Sequence, residues 1–168
     1  ICKPKIVVTE TDVNIMVSDC KIITQSIVDS AKLYEGHNYF EPLPVMPSDP
    51  AYVIFTSGST GLPKGVTISQ SNLKSFIEWT ISEYNLNSSD IHTHINPIYF
   101  DNSIFDFYCS LFNSATLTPI QKHEIFNFKK LIEKMNLLRC SIWFSVPSVL
   151  NIVLKINRGN IFKKIKIK

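Results

Sequence analysis

Between Ala51 and Val66 the chain reads AYVIFTSGSTGLPKGV. Hydroxyls at Thr56, Ser57, Ser59 and Thr60, glycines at Gly58, Gly61 and Gly65, and the Lys64 ammonium crowd into this one stretch. Glycine lets a backbone turn with positive φ and come close to a ligand. Successive N–H groups in such a turn form an anion-binding concavity. Hydroxyl donors and a mobile positive charge complete what a polyphosphate requires. The apolar run Tyr52-Val53-Ile54-Phe55 ahead of it reads as a buried strand that feeds the loop. A flexible Ser/Gly linker has neither that strand before it nor the Pro63-Lys64-Gly65 that follows. The P-loop pattern G-x-x-x-x-G-K-[ST] fits Gly58 and Lys64, but Pro63 replaces its second glycine and Gly65 its metal-binding hydroxyl.

Thr56-Ser57-Gly58-Ser59-Thr60-Gly61-Leu62-Pro63-Lys64-Gly65 resembles, at every position, the signature loop of the adenylate-forming (AMP-binding) enzymes. That superfamily includes amino-acid adenylation domains of non-ribosomal peptide synthetases, D-alanine–carrier-protein ligases, acyl-CoA synthetases and firefly luciferase. The resemblance implies that Thr56, Ser57, Gly58, Ser59, Thr60, Gly61 and Lys64 hold the β- and γ-phosphates of ATP. It gives Lys64 the role of steadying the loop, not that of the family's catalytic lysine.

A second constellation is Phe100-Asp101-Asn102-Ser103, at a strand-to-helix junction. Alone, Asp101 reads as a helix N-cap. Beside the upstream loop it resembles the Phe-Asp-x-Ser motif of amino-acid-activating members, in which the carboxylate pairs with the substrate's α-ammonium. A cation leaving water needs such a counter-charge. By local offset, the resemblance makes Asn102, Phe105 and Phe144 pocket-lining residues, suited to a small side chain. Phe105 and Phe144 read equally well as ordinary core. The run Trp143-Phe144-Ser145-Val146-Pro147-Ser148 looks closer to the carrier-protein ligases than to the acyl-CoA synthetases.

The elements that must position these groups can be read from periodicity. Lys5–Thr9 and Lys21–Thr24 read as short buried strands, and residues 34–50 as a Pro-rich extended connector with prolines at 42, 44, 47 and 50. Val66–Ile68 is a strand, and Ser69 caps a helix over about Gln70–Tyr84 with Leu73, Phe76, Ile77, Ile81 and Tyr84 on one face. An alternating strand follows at Ile91–Ile95. A helix over Ser103–Phe112 turns Ile104, Phe105, Tyr108, Leu111 and Phe112 inward. Ala115–Ile120 is a strand, Phe128 to Leu138 marks a helix, Ser141–Ser145 is a strand, and Pro147 opens a last helix. The alternation predicts an α/β layered domain with a largely parallel sheet flanked by helices.

A chain of 168 residues, 45% apolar and 18% charged, suits one globular domain. A net charge of +3 gives no argument for nucleic acid, and no apolar run approaches the roughly 20 residues of a membrane span. Cys2, Cys20, Cys109 and Cys140 follow no metal or disulfide spacing, which points to reduced thiols and a cytoplasmic setting. His92 and His94 share a strand face but have no third metal ligand, so no metal site is assigned. Asp106 and Tyr108 have no evident partner, Glu133 and Lys134 read as helix surface, and the lysines at 163, 164, 166 and 168 as a solvated strand edge.

Residues 1–168 thus resemble part of the large N-terminal domain of an adenylate-forming enzyme. The family's adenine-packing motif, ribose-binding Asp and C-terminal lysine domain are not found here, and both ends look cut. The implied parent is an ATP- and Mg²⁺-dependent ligase that activates an amino acid and passes it to a carrier-protein thiol. The fragment alone is expected to be inactive. An acyl-CoA synthetase fragment, or a non-catalytic nucleotide-binding remnant, is the alternative.

Overall fold

The computed structural model describes residues 6–9, 20–24, 42–57 and 61–157. The chain divides into two units, Ile1–Pro44 and Val45–Lys168. In the first unit, β1 (Ile6–Thr9) and β2 (Lys21–Thr24) pair in parallel, Ile6 opposite Lys21 through Thr9 opposite Thr24. Both strands lie where the β-branched runs predict them.

The second unit opens with an antiparallel hairpin of β3 (Pro50–Thr56) and β4 (Lys64–Ser69). Tyr52 and Ile54 turn half-buried sides inward, while Val53 and Phe55 stay 45% and 48% exposed. The expectation of a fully buried strand is therefore corrected. All four residues are apolar, so the period-2 facing is invisible in their types. The connector also differs from a purely extended one at its end. Asp49 accepts from Met46 N–H at 2.7 Å and closes a turn, and the carbonyls of Asp49 and Pro47 accept from Gln70 and Ser71. That turn supplies partners for two N–H groups that a helix start leaves open.

Helix α1 (Gln70–Glu83) starts on a Ser69/Asn72 capping box. It buries Leu73, Ile77 and Thr80, with Phe76 and Ile81 half-buried; Tyr84 lies past its end and is exposed. After β5 (Ile91–His94) come α2 (Asn102–Phe112), β6 (Thr116–Pro119), the short α3 (Lys122–Ile125), α4 (Phe128–Leu137) and α5 (Pro147–Asn157). Strands β5 and β6 are parallel, and on the other side of β5 a single parallel bridge joins His92 to Ile142. The strand expected over Ser141–Ser145 is reduced to that bridge.

Two cores cover the faces of this small sheet. Ile95, Ile120, Leu131, Met135 and Cys140 pack on the α4 side. Leu86, Phe105, Cys109 and Ile142 pack on the α2 side. Flanked on both edges and both faces, β5 buries His92 and Thr93 completely, which a half-buried alternating strand would not. Cys109 and Cys140 are buried free thiols, and burial pushes Cys109 up to about 11; Cys2 lies outside the described residues.

The inward face of α2 is the expected one at Ile104, Phe105 and Tyr108 but not at Leu111 and Phe112. Ser103, Phe105, Asp106, Cys109 and Ser110 are buried, while Leu111 and Phe112 are 55% and 67% exposed. The polar residues Ser103 and Ser110 satisfy their hydroxyls on the carbonyls of Phe100 and Phe107, so they can turn inward. Lys134 is not simply helix surface either. Its ammonium donates to both Glu124 oxygens at 2.9 Å and ties α3 to α4. The lysines at 163–168 lie outside the described residues.

Helices α1, α2 and α4 end alike. Leu86, Ala115 and Cys140 donate back to Ile81, Ser110 and Met135, and the preceding residues Asn85, Ser114 and Arg139 have φ of 49°, 54° and 55°. These are left-handed caps without glycine. Because a Cβ is costly there, Arg139→Gly is expected to raise stability by roughly 0.5–1 kcal/mol in urea unfolding. A neutral or destabilising result would contradict the cap.

Candidate phosphate- and amine-binding site

The hydroxyl-rich stretch is the loop of the β3–β4 hairpin. Thr56 is the last residue of β3 and pairs with Lys64, the first of β4; its Oγ1 donates to the Lys64 carbonyl at 3.5 Å. Thr56, Ser57 and Lys64 are exposed at the loop mouth. Gly58, Ser59 and Thr60 lie outside the described residues. Gly61 has φ +80° and open space around its Cα, so the turn uses glycine's freedom and leaves room for a ligand. Gly65 has a different reason: a Cβ there would lie 3.1 Å from Val53 Cγ1 and 3.4 Å from the Phe55 ring. The chain leaves this loop as a strand and not as a helix, so the loop does not open directly onto a helix N-terminus. A P-loop runs into a helix, so the strand that follows this loop separates it from one by geometry as well as by sequence.

Asp101 stands exposed just ahead of α2, at φ −59° and ψ −29°, and its side chain makes no cap hydrogen bond. The N-cap reading is thus not what the geometry gives. The loop that carries it is held from behind. Phe100 N–H donates to Pro97 O at 2.9 Å, and Ser103 Oγ donates to Phe100 O at 2.7 Å. Ser103 is 1% exposed, so the serine of Phe-Asp-x-Ser anchors the turn.

One residue relates Asp101 to the phosphate loop. Tyr52 on β3 stacks on Tyr108 of α2 with centroids 6.4 Å apart. Its phenol is pushed above the usual range by burial, then by the Asp101 charge and by Tyr108. Thr56, four residues along the same strand, is roughly 13 Å further on. Tyr52, on the strand that ends in the loop, is thus the residue through which Asp101 and the hairpin are related. Tyr52 was not foreseen as a site residue, because within an all-apolar strand it reads as core; Tyr108 gains a partner the sequence did not name.

Asn102 is half-buried at the start of α2. Phe105 is 6% exposed and belongs to the α2-side core, and Phe144 packs on that core with its ring 4.5 Å from Phe105. Phe105 also lies 5.9 Å from the His92 ring. Burial lowers the titration of both His92 and His94. Among the described residues no three His, Cys, Asp or Glu side chains converge on a point that could hold a metal ion. Asn96, buried just past β5, was missed entirely. It donates from one amide nitrogen to Asp106 Oδ2 at 3.1 Å and to Phe144 O at 2.9 Å.

Comparison with known proteins shows the family and the fold. A profile of the AMP-binding enzyme family matches residues 2–166. The chain is 34% identical over 142 residues to a D-alanine–D-alanyl carrier protein ligase of Listeria monocytogenes, covering 84% of this chain and 28% of that one. It is 35% identical over 120 residues to an L-proline–[L-prolyl-carrier protein] ligase of Pseudomonas fluorescens, covering 71% of this chain and 24% of that one. It therefore spans about a quarter of the length of these relatives. The fold matches the non-ribosomal peptide synthetase FmoA3, bound to α-methyl-L-serine-AMP, with TM-score 0.68 at 22% identity over 92% of this chain and 17% of that one. It also matches the Vibrio cholerae adenylation domain AlmE, in complex with glycyl-adenosine-5′-phosphate, with TM-score 0.59 at 26% identity over 83% of this chain and 25% of that one. The α/β fold with parallel strand pairs flanked by helices is that of adenylation domains, and this chain belongs to the AMP-binding enzyme family.

Proposed function

We propose that residues 1–168 are the phosphate- and amine-recognising part of an ATP-dependent ligase that activates an amino acid and delivers it to a carrier protein. The observation that carries this reading is Asp101, an exposed carboxylate that caps nothing, next to the strand that ends in the phosphate loop. A fatty or aryl acid has no ammonium to pair with such a group. The carrier-protein ligases among the relatives support the same substrate class.

In the proposed reaction a carboxylate oxygen of the amino acid attacks the α-phosphorus of ATP. The bond from that phosphorus to the bridging oxygen breaks, and pyrophosphate leaves with the electron pair. The aminoacyl-AMP then loses AMP to the thiol of a phosphopantetheinyl carrier. This chain contributes positioning and charge neutralisation. Thr56, Ser57, Gly58, Ser59, Thr60, Gly61 and Lys64 hold the leaving pyrophosphate, and Asp101 orients the amine, with Asn102, Phe105 and Phe144 around the side chain. Magnesium would neutralise phosphate charge in such a reaction. The described residues gather no acidic cluster for it, so no step is assigned to a metal held here. On this reading the compartment is the cytoplasm, where ATP and reduced thiols coexist; no described helix is long and apolar enough to cross a membrane. Residues 34–50 serve as the connector into the phosphate-loop hairpin.

The test is exchange of labelled pyrophosphate into ATP by the complete gene product. Exchange that depends on an amino acid is expected, and none from the 168 residues by themselves. Exchange driven only by fatty or aryl acids would instead favour an acyl-CoA synthetase.

A further inference from the structure

The proposed chemistry leaves one buried ionisable group unused. Asp106 on α2 is 0% exposed, a carboxyl fully enclosed by the protein. A leucine would fill such a position without the cost of burying a carboxyl. The carboxyl meets the backbone N–H groups of Ile95 and Asn96 at the end of β5 and the Asn96 side chain, which donates to Oδ2 at 3.1 Å; the same amide nitrogen donates to Phe144 O at 2.9 Å. Both N–H bonds of one NH₂ group are therefore used, one toward α2 and one toward the Phe144 segment. Asn96, itself 7% exposed, joins the end of β5 to both.

The Phe144 segment has need of such a tie. Its ladder contact with β5 is the bridge at Ile142, with Thr93 N–H donating to Ile142 O at 3.0 Å. Among the described residues no strand pairing continues from there to α5 at Pro147. Asn96 replaces the missing ladder bond two residues beyond the bridge. Phe105, the residue before Asp106, lies on the far side of the same joint, and its ring touches Phe144 at a centroid separation of 4.5 Å. Nothing can lie between rings that close.

We infer that Asn96 and Asp106 are positioning residues for the amino-acid pocket: they hold the Phe144 segment against Phe105 and so exclude large substrate side chains. Asp106 acts through Asn96, by fixing the amide so that its second N–H points at Phe144 O. The inference rests on the proposed amino-acid activation.

The experiment is pyrophosphate exchange by the complete gene product with glycine, alanine, valine and phenylalanine. Asn96→Ala removes the tie and leaves both phenylalanines unsubstituted. The ratio of kcat/KM for the larger to the smaller amino acids should rise at least about tenfold, mostly through KM for the larger ones. Asp106→Leu should act the same way. Asp106→Asn keeps an acceptor oxygen for Asn96 and should hold the ratio within about twofold of wild type. If Asn96→Ala instead lowers kcat/KM for every amino acid by one common factor, the two residues are merely structural and the inference falls. If Asn96→Ala does not fold, the two Asp106 variants decide: identical selectivity profiles overturn the inference, divergent ones uphold it. Wild-type protein that uses no amino acid but accepts fatty or aryl acids overturns the functional reading, and this inference with it. A wild type active on amino acids with unshifted variant ratios overturns this inference alone.

Discussion

Asp101→Ala is expected to cut amino-acid-dependent pyrophosphate exchange by roughly 30-fold to several thousand-fold in kcat/KM, the 2–5 kcal/mol lost when one member of a desolvated charge pair is removed. The loss should fall on the amino acid and leave ATP affinity within about twofold, because Asp101 is placed on the amine and not on the phosphates. Asp101→Asn keeps the shape and removes the charge, so it should lose nearly as much. This separates an electrostatic contact from a steric one. A structural explanation of Asp101 would predict loss of stability instead. The geometry gives that little support, since the side chain caps nothing and stands exposed, while Ser103 and the Phe100 turn hold the loop. No effect of Asp101→Ala on exchange would point to an acyl substrate.

The second large effect concerns stability. Burial pushes the Asp106 carboxyl up to about 8, against opposing hydrogen bonds from the Asn96 side chain and the Asn96 and Ile95 backbone. The folded chain therefore keeps a proton that the unfolded chain releases near pH 4. Between about pH 4 and pH 8 the native state binds more protons, so stability falls as pH rises, by about 1.4 kcal/mol per pH unit from this group. At pH 7 the accumulated loss is on the order of 4 kcal/mol. Asp106→Asn removes the titration and retains an acceptor for Asn96. Urea unfolding of the two proteins should diverge as pH rises, with the variant gaining relative to wild type until about pH 8 and then running parallel. Cys109 on the same helix is pushed up to about 11 and does not titrate in this window. His92 and His94, lowered by burial, tilt the curve the other way at acidic pH, but equally in both proteins. Parallel curves throughout would show that Asp106 ionises normally.

Much of this was legible before any coordinates. The hydroxyl–glycine–lysine stretch has no common structural use, so its residue types alone marked it. Most strands and helices followed from apolar period, and Ser69 and Pro147 marked two helix starts because capping chemistry is local. What failed was what residue types do not encode. Tyr52, Val53, Ile54 and Phe55 are all apolar, so which pair faces inward is decided by the hairpin's partner face. In α2 the apolar pattern pointed at Leu111 and Phe112, but Ser103 and Ser110 go inside because their hydroxyls bond carbonyls three residues back, and Asp106 because Asn96 meets it. Helix ends were blurred because Asn85, Ser114 and Arg139 occupy left-handed positions that usually announce themselves as glycine. Asn96 was illegible for the same kind of reason: a joint between a strand end, a helix and a later segment is a tertiary fact. The residues proposed to hold phosphate were read from the loop motif itself; three of them, Gly58, Ser59 and Thr60, lie outside the described residues.

The most direct measurement is trapping of the activated acid with hydroxylamine. The complete gene product, ATP and a mixture of amino, fatty and aryl acids would be incubated with hydroxylamine, and the hydroxamates identified by mass spectrometry. The account predicts an amino-acid hydroxamate, formed with release of AMP and pyrophosphate and abolished in Asp101→Ala. Hydroxamates of fatty or aryl acids alone, unchanged by that substitution, would contradict it.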